Sequence, residues 1–131
     1  MDDIAFARRV FTWAGIYGLV ALLPMYALED FIGAQFPPPV GHPEFYYGFA
    51  GVALAWQVAF LVIGRDPVRF RPMMVPAVLE KLGYGVAVVF LVSAGRTPAP
   101  LLGTAVVDLV LAALFTVAHR QTRRQSAGFR L

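Results

Sequence analysis

Residues 73–95 read MMVPAVLEKLGYGVAVVFLVSAG, an apolar run interrupted only by the adjacent charges Glu80 and Lys81. An α-helix rises about 1.5 Å per residue, so about 20 such residues cross the roughly 30 Å hydrocarbon core of a bilayer. Three further runs, 10–28, 45–64 and 101–118, have similar length and character, and together the four nearly fill the chain. Lipid offers no water to the backbone, so each run must satisfy its own N–H and C=O groups by coiling. The expected fold is all-α, a transmembrane four-helix bundle forming one integral membrane domain over residues 1–131. A β-barrel would need segments of about 10 residues alternating in and out, which these continuous runs lack.

Composition agrees. Hydrophobic residues are 59% of the 131 and charged residues 15%, against roughly 45–50% and 25% in soluble domains. Disorder is excluded by the same figures. The absence of cysteine removes a disulfide scaffold, thiol redox chemistry, cysteine nucleophiles and zinc–thiolate sites.

A net charge of +3 would fit phosphate recognition, but position decides against nucleic acid. Basic residues cluster at the borders of apolar runs: Arg8 and Arg9, then Arg65, Arg69 and Arg71, then Arg120, Arg123, Arg124 and Arg130. These nine fall on the side of both termini, only Arg96 falls on the other, and Lys81 lies within a span. The asymmetry predicts a multi-pass inner-membrane protein with both termini in the cytoplasm, its arginines facing anionic lipid headgroups. Arg8-Arg9-Val10-Phe11 echoes an export signal, yet the run behind it has full spanning length and no A-x-A site follows. An uncleaved first helix is the expectation.

Of the connections, Glu29 to Glu44 is acidic and proline-rich, with Pro37-Pro38-Pro39, and is expected to be extended and irregular. Pro24 removes a hydrogen bond late in the first span and should kink the helix or end its regular part. Pro76, in the first turn of the third span, costs little. Gly48, Gly51, Ala55 and Ala59 form a small-residue stripe, and Ala14 with Gly18 and Gly83 with Ala87 repeat the spacing. All three are expected to be helix contact faces, within one bundle or between copies of a homodimer or larger complex.

The functional candidates are polar residues inside the apolar runs: Tyr17, Gln57, Glu80, Lys81, Tyr84 and Asp108. An ionisable group at bilayer depth costs between about 2.5 and more than 10 kcal/mol, so it faces the bundle interior, is paired, and marks a site by default. From the cytoplasmic ends, Tyr17, Gln57 and Glu80 lie roughly 10 Å deep, Lys81 roughly 12 Å and Asp108 roughly 15–17 Å. Polar residues from four helices thus converge on one layer. Adjacent helix positions point about 100° apart, so Glu80 and Lys81 are expected to seek other partners. Lys81 can reach Asp108, and Glu80 can accept from Gln57, Tyr17 or Tyr84, the last being four residues along its face. The bland reading is a layer that fixes helix register, with Lys81 snorkelling to the headgroups.

His42 and His119 lie at opposite membrane faces, which excludes a shared metal site and makes each a surface residue. Trp13, Trp56 and Phe45-Tyr46-Tyr47 read as packing and interfacial anchors. No G-x-S-x-G, H-E-x-x-H, Walker A or G-x-G-x-x-G pattern occurs.

Size, short basic loops and scattered intramembrane charges make the chain resemble the small bacterial four-span proteins typified by DoxX-like hydrophobic proteins, in overall plan and without a diagnostic motif. Small multidrug-resistance transporters share the plan but carry their coupling glutamate in the first helix, where this chain has none. Sterol-isomerase-like four-span proteins use intramembrane acids, which keeps a sterol-like ligand in view. The expected function is a binding or accessory subunit with membrane lipids as partners. The alternative is an intramembrane enzyme or carrier of a lipid, quinone or sterol-like ligand using Glu80, Lys81 and Asp108, with Glu80 as the proton-handling acid. A proton-coupled transporter stands third. No cofactor is evident.

Overall fold

The computed structural model describes the backbone of residues 2–128 and the side chains of residues 2–123. The described chain is helical, with no strand: α1 (Asp3–Leu22), α2 (Glu29–Gln35), α3 (Pro43–Arg65), α4 (Met74–Ser93) and α5 (Leu102–Gly128). All but α2 are long and apolar enough to cross a membrane, so the four-helix bundle expected from the apolar runs is the fold.

Local chemistry sets the ends. The Asp2 carboxylate accepts from the Ile4 N–H at 3.3 Å and caps α1, starting the helix seven residues before the apolar run. Pro24 acts as expected: regular helix stops at Leu22 and a 3₁₀ turn follows over Leu23–Ala27. At the far end of α4, Gly95 takes φ +68°, the left-handed conformation that ends helices at little cost to a residue without Cβ. The first connection departs from its expected irregularity, since Glu29–Gln35 forms α2 before the three prolines. Glu29 and Asp30 place two carboxylates at its N-terminus, where the helix dipole favours them.

The helices are arranged in the order α3, α1, α5, α4. Helix α1 packs on both α3 and α5, and α4 packs on α5, whereas α3 and α4 scarcely touch. Close approach relies on small residues, as expected where lipid supplies no hydrophobic drive for helix association. A Cβ on Gly18 would overlap the Gln57 side chain, and one on Gly15 would lie 2.8 Å from Leu61. One on Gly85 would lie 2.9 Å from Leu109 of α5. Ala14 and Gly18 are therefore contact residues, as their spacing predicts. In the other two small-residue faces, Gly48, Ala55, Gly83 and Ala87 make no close contact inside the bundle: all four are exposed, and a Cβ at Gly48 or Gly83 would meet nothing within 4 Å.

Towards the arginine-rich end, three fully buried rings make the core. Phe11 stacks on Phe115 at 4.1 Å between centroids, and Phe60 meets Phe115 edge-on at 5.0 Å. Large side chains such as Trp13, Val20 and Phe90 point outward, which suits a lipid surround. Arg71 ties α5 to the start of α4, its guanidinium 2.9 Å from the His119 ring and donating to the His119 carbonyl at 3.1 Å. His119 is thus half-buried and held, and not a free surface residue. His42 is exposed, 3.1 Å from Glu44. No group able to hold a metal ion occurs among the described residues.

Candidate functional site

Because α3 and α4 scarcely touch, the bundle is hollow between them. A cavity of about 370 Å³ is lined by side chains from all four spans, a size within the 300–1,000 Å³ usual for small-molecule pockets. Every one of the six candidate polar residues lines it: Tyr17, Gln57, Glu80, Lys81, Tyr84 and Asp108. The depth arithmetic that places Tyr17, Gln57, Glu80, Lys81 and Asp108 in one layer is matched by one shared space.

The ion triad is the floor. Lys81 is 6% exposed, and its ammonium donates to Asp108 Oδ1 at 3.2 Å, the pairing that the short connection between the last two spans implies. It also sits over the Phe60 ring, 5.3 Å from the centroid, where the ring face attracts a cation. Burial on this scale settles its direction: Lys81 points inward and does not snorkel. The second contact of Lys81 corrects an expectation. Its Nζ lies 3.3 Å from Glu80 Oε2, although the two residues leave the helix about 100° apart. Two long side chains can bend towards a point that their Cα–Cβ directions do not share.

Glu80 receives none of the donors proposed for it. Gln57, 2% exposed, gives its amide N–H to the Ala53 carbonyl in its own helix at 2.9 Å. Thr104 donates to the Leu101 carbonyl at 2.7 Å, so the Tyr84 hydroxyl, 2.9 Å from Thr104 Oγ1, must be the donor of that pair. Tyr17 is half exposed, and its hydroxyl makes no hydrogen bond among the described residues. The 3.3 Å contact with Lys81 is not aligned as a hydrogen bond, and Glu80 Oε2 is a buried oxygen with no donor.

The opposite end of the cavity is apolar and roofed by the first connection. Met25, Ile32 and Phe36 line it from the 3₁₀ turn and α2. Two tyrosines of α3 fasten this roof: Tyr46 donates to the Met25 carbonyl and Tyr47 to Glu29 Oε2, both at 2.6 Å. Beside the cavity a groove runs along the α3–α4 edge, walled by Gly48, Val52, Trp56, Gly83 and Ala87. Phe49, Ala53, Glu80 and Tyr84 line both spaces, and the stacked rings of Phe49 and Tyr84, 5.7 Å apart, stand between them.

Thr104, Phe49 and the roof residues are members of the site that the sequence reading does not include. Thr104 carries a usable signal, because it precedes Asp108 by four residues and so shares its helix face. The roof carries none, since its part in the site depends on how the connection folds back. Compared with family models, with curated proteins and with solved structures, the chain matches none.

Proposed function

We propose that this membrane protein binds a small amphipathic molecule dissolved in the bilayer, of lipid, quinone or sterol-like kind. Its polar end would rest on the Glu80–Lys81–Asp108 floor and its apolar part beneath the α2 roof. One observation carries the reading: the three intramembrane charges are not packed shut but form one wall of a cavity that all four spans enclose. Mostly apolar walls with a few convergent polar groups are the usual make-up of a ligand site. The groove along α3 and α4 would be the way in from the lipid. Its glycines support this, since Gly48 and Gly83 face open space and serve no contact inside the bundle. No reaction is proposed. The charges at Arg8, Arg9, Arg65 and Arg69 support a cytoplasmic placement of both termini in an inner membrane, with the α2 roof on the opposite face.

Native mass spectrometry of protein released from lipid nanodiscs tests the reading. The unmodified chain is expected to carry one amphiphile per protein. Ala21→Trp, which places an indole in the cavity, is expected to lose it while keeping its helical content. An unmodified chain free of adducts, or an adduct that survives in Ala21→Trp, would overturn the proposal.

A further inference from the structure

The proposed site is unevenly supplied with donors and acceptors, and the imbalance names a ligand class. On the floor, two carboxylates face one ammonium. The ammonium is already committed to Asp108, to the neighbourhood of Glu80 and to the Phe60 ring. The Tyr84 proton is committed to Thr104 and one Gln57 amide N–H to its own helix. What remains open towards a guest is acceptor capacity: the Glu80 carboxylate lines the cavity, its side chain 18% exposed, and it accepts no hydrogen bond among the described residues, while its Oε2 is shielded beside Lys81. A carboxylate that shares its one cation with a second carboxylate and accepts no hydrogen bond is poorly compensated in an apolar surround. A guest that supplies the missing donor makes up that shortfall, and one that brings only acceptors does not.

The walls point the same way. Tyr17, Phe49 and Tyr84 line the cavity beside Glu80, and aromatic faces attract a desolvated cation. Lys81 over Phe60 shows the fold already using this interaction one helix turn from the cavity. A carboxylate or phosphate head would meet two like charges.

We infer that the guest is a lipophilic amine: an apolar body with a protonated, hydrogen-bond-donating nitrogen that docks on Glu80. The inference rests on the ligand-site reading above and sharpens it. The ammonium would complete the floor as two cations against two carboxylates, with a charge-assisted hydrogen bond to Glu80, a class roughly twice as strong as neutral ones.

Trp56 lines the groove next to the cavity, and Trp13 → Phe leaves it as the sole tryptophan. This variant, in phosphatidylcholine nanodiscs, is titrated with three terminally brominated dodecyl probes, an amine, an alcohol and a carboxylate, and quenching of Trp56 is followed. The amine is expected to quench saturably at a bilayer mole fraction at least about tenfold below the carboxylate, and below the alcohol, as a charge-assisted bond requires. Glu80→Gln should raise the amine's half-saturation by at least about tenfold and leave the alcohol's within about threefold, because the amide still offers an oxygen. The ranking of the three probes on the unmutated site decides the matter even if Glu80→Gln does not assemble. A carboxylate or alcohol that binds as tightly as the amine overturns the amine assignment and leaves the cavity a ligand site. Saturable quenching by none of the three overturns both.

Discussion

Removing the ammonium of Lys81 tests whether the triad is a compensated buried network. In Lys81→Met the chain keeps a side chain of similar length and apolar stem, and Glu80 and Asp108 lose the cation they share. At 3.2–3.3 Å and an effective dielectric of about 20, each contact is worth about 5 kcal/mol of Coulomb attraction before desolvation is charged against it. Desolvating the ions takes back most of that, and the measured loss on breaking a buried pair by removing one partner is about 3–5 kcal/mol. Lost attraction to the Phe60 ring adds about 0.5–2 kcal/mol. Unfolding of purified protein by sodium dodecyl sulfate in mixed micelles, followed by circular dichroism, should therefore show Lys81→Met less stable by about 3–5 kcal/mol.

Two companions separate this cause from a general intolerance of the site. Asp108→Asn leaves Lys81 its contact with Glu80 and should cost only about 1–2 kcal/mol, near the upper range for polar contacts between membrane helices. The combined Glu80→Gln, Lys81→Met, Asp108→Asn chain has no uncompensated charge and should regain at least about half the loss of Lys81→Met alone. A loss below about 1 kcal/mol for Lys81→Met, or a triple variant weaker than the single one, would refute the reasoning, because then the charges would not be balancing one another.

Gly18→Leu drives a side chain into the Gln57 amide and should cost at least about 2 kcal/mol in the same unfolding assay, whereas Gly83→Leu meets open space and should stay within about 0.5 kcal/mol; equal losses would remove the distinction between contact and groove glycines. Phe115→Ala empties the space between Phe11 and Phe60 and should cost about 3–5 kcal/mol, a loss under about 1 kcal/mol marking the ring cluster as loosely packed. Since the chain has no cysteine, single substitutions report topology directly: His42→Cys should react with an impermeant maleimide from outside the cell and Val68→Cys only after permeabilisation, the reverse pattern overturning the proposed orientation.

The four spans and the polar layer could be read from sequence because lipid makes both costly to arrange otherwise. A run such as 101–118 has no alternative to a membrane helix, and Asp108 inside it has no alternative to the interior. The short turn between the last two spans made Lys81 and Asp108 neighbours, and they are paired. What could not be read was the rotation of each helix. In a soluble bundle a polar face shows which side is out, but here both faces of α3 are apolar, so Gly48, Gly51, Ala55 and Ala59 look as good a contact surface as the face actually used, Ala50, Ala53, Gln57 and Phe60. Helix α2 was hidden by the prolines that follow it, although Glu29 and Asp30 at its start are the charges a helix N-terminus favours. The cavity itself follows from α3 and α4 packing on α1 and α5 and scarcely on each other, an arrangement that no residue pattern encodes.

The choice between a register-fixing layer and a binding floor turns on Gln57 and Glu80. A layer that served only to hold helices in place would gain most by joining these two, since they occupy the same depth and line the same space. The fold does otherwise: Gln57, almost wholly buried, turns its amide to the Ala53 carbonyl one turn back in its own helix, and Glu80, which lines the cavity, keeps a buried Oε2 with no hydrogen-bond donor. An interhelical hydrogen bond there would contribute about 0.6 kcal/mol, and forgoing it while leaving a buried oxygen unsatisfied carries a larger penalty. A carboxylate that the packing leaves short of donors, and whose side chain lines the cavity, can take one from a guest there, which joins Glu80 and the adjoining cavity into one candidate site.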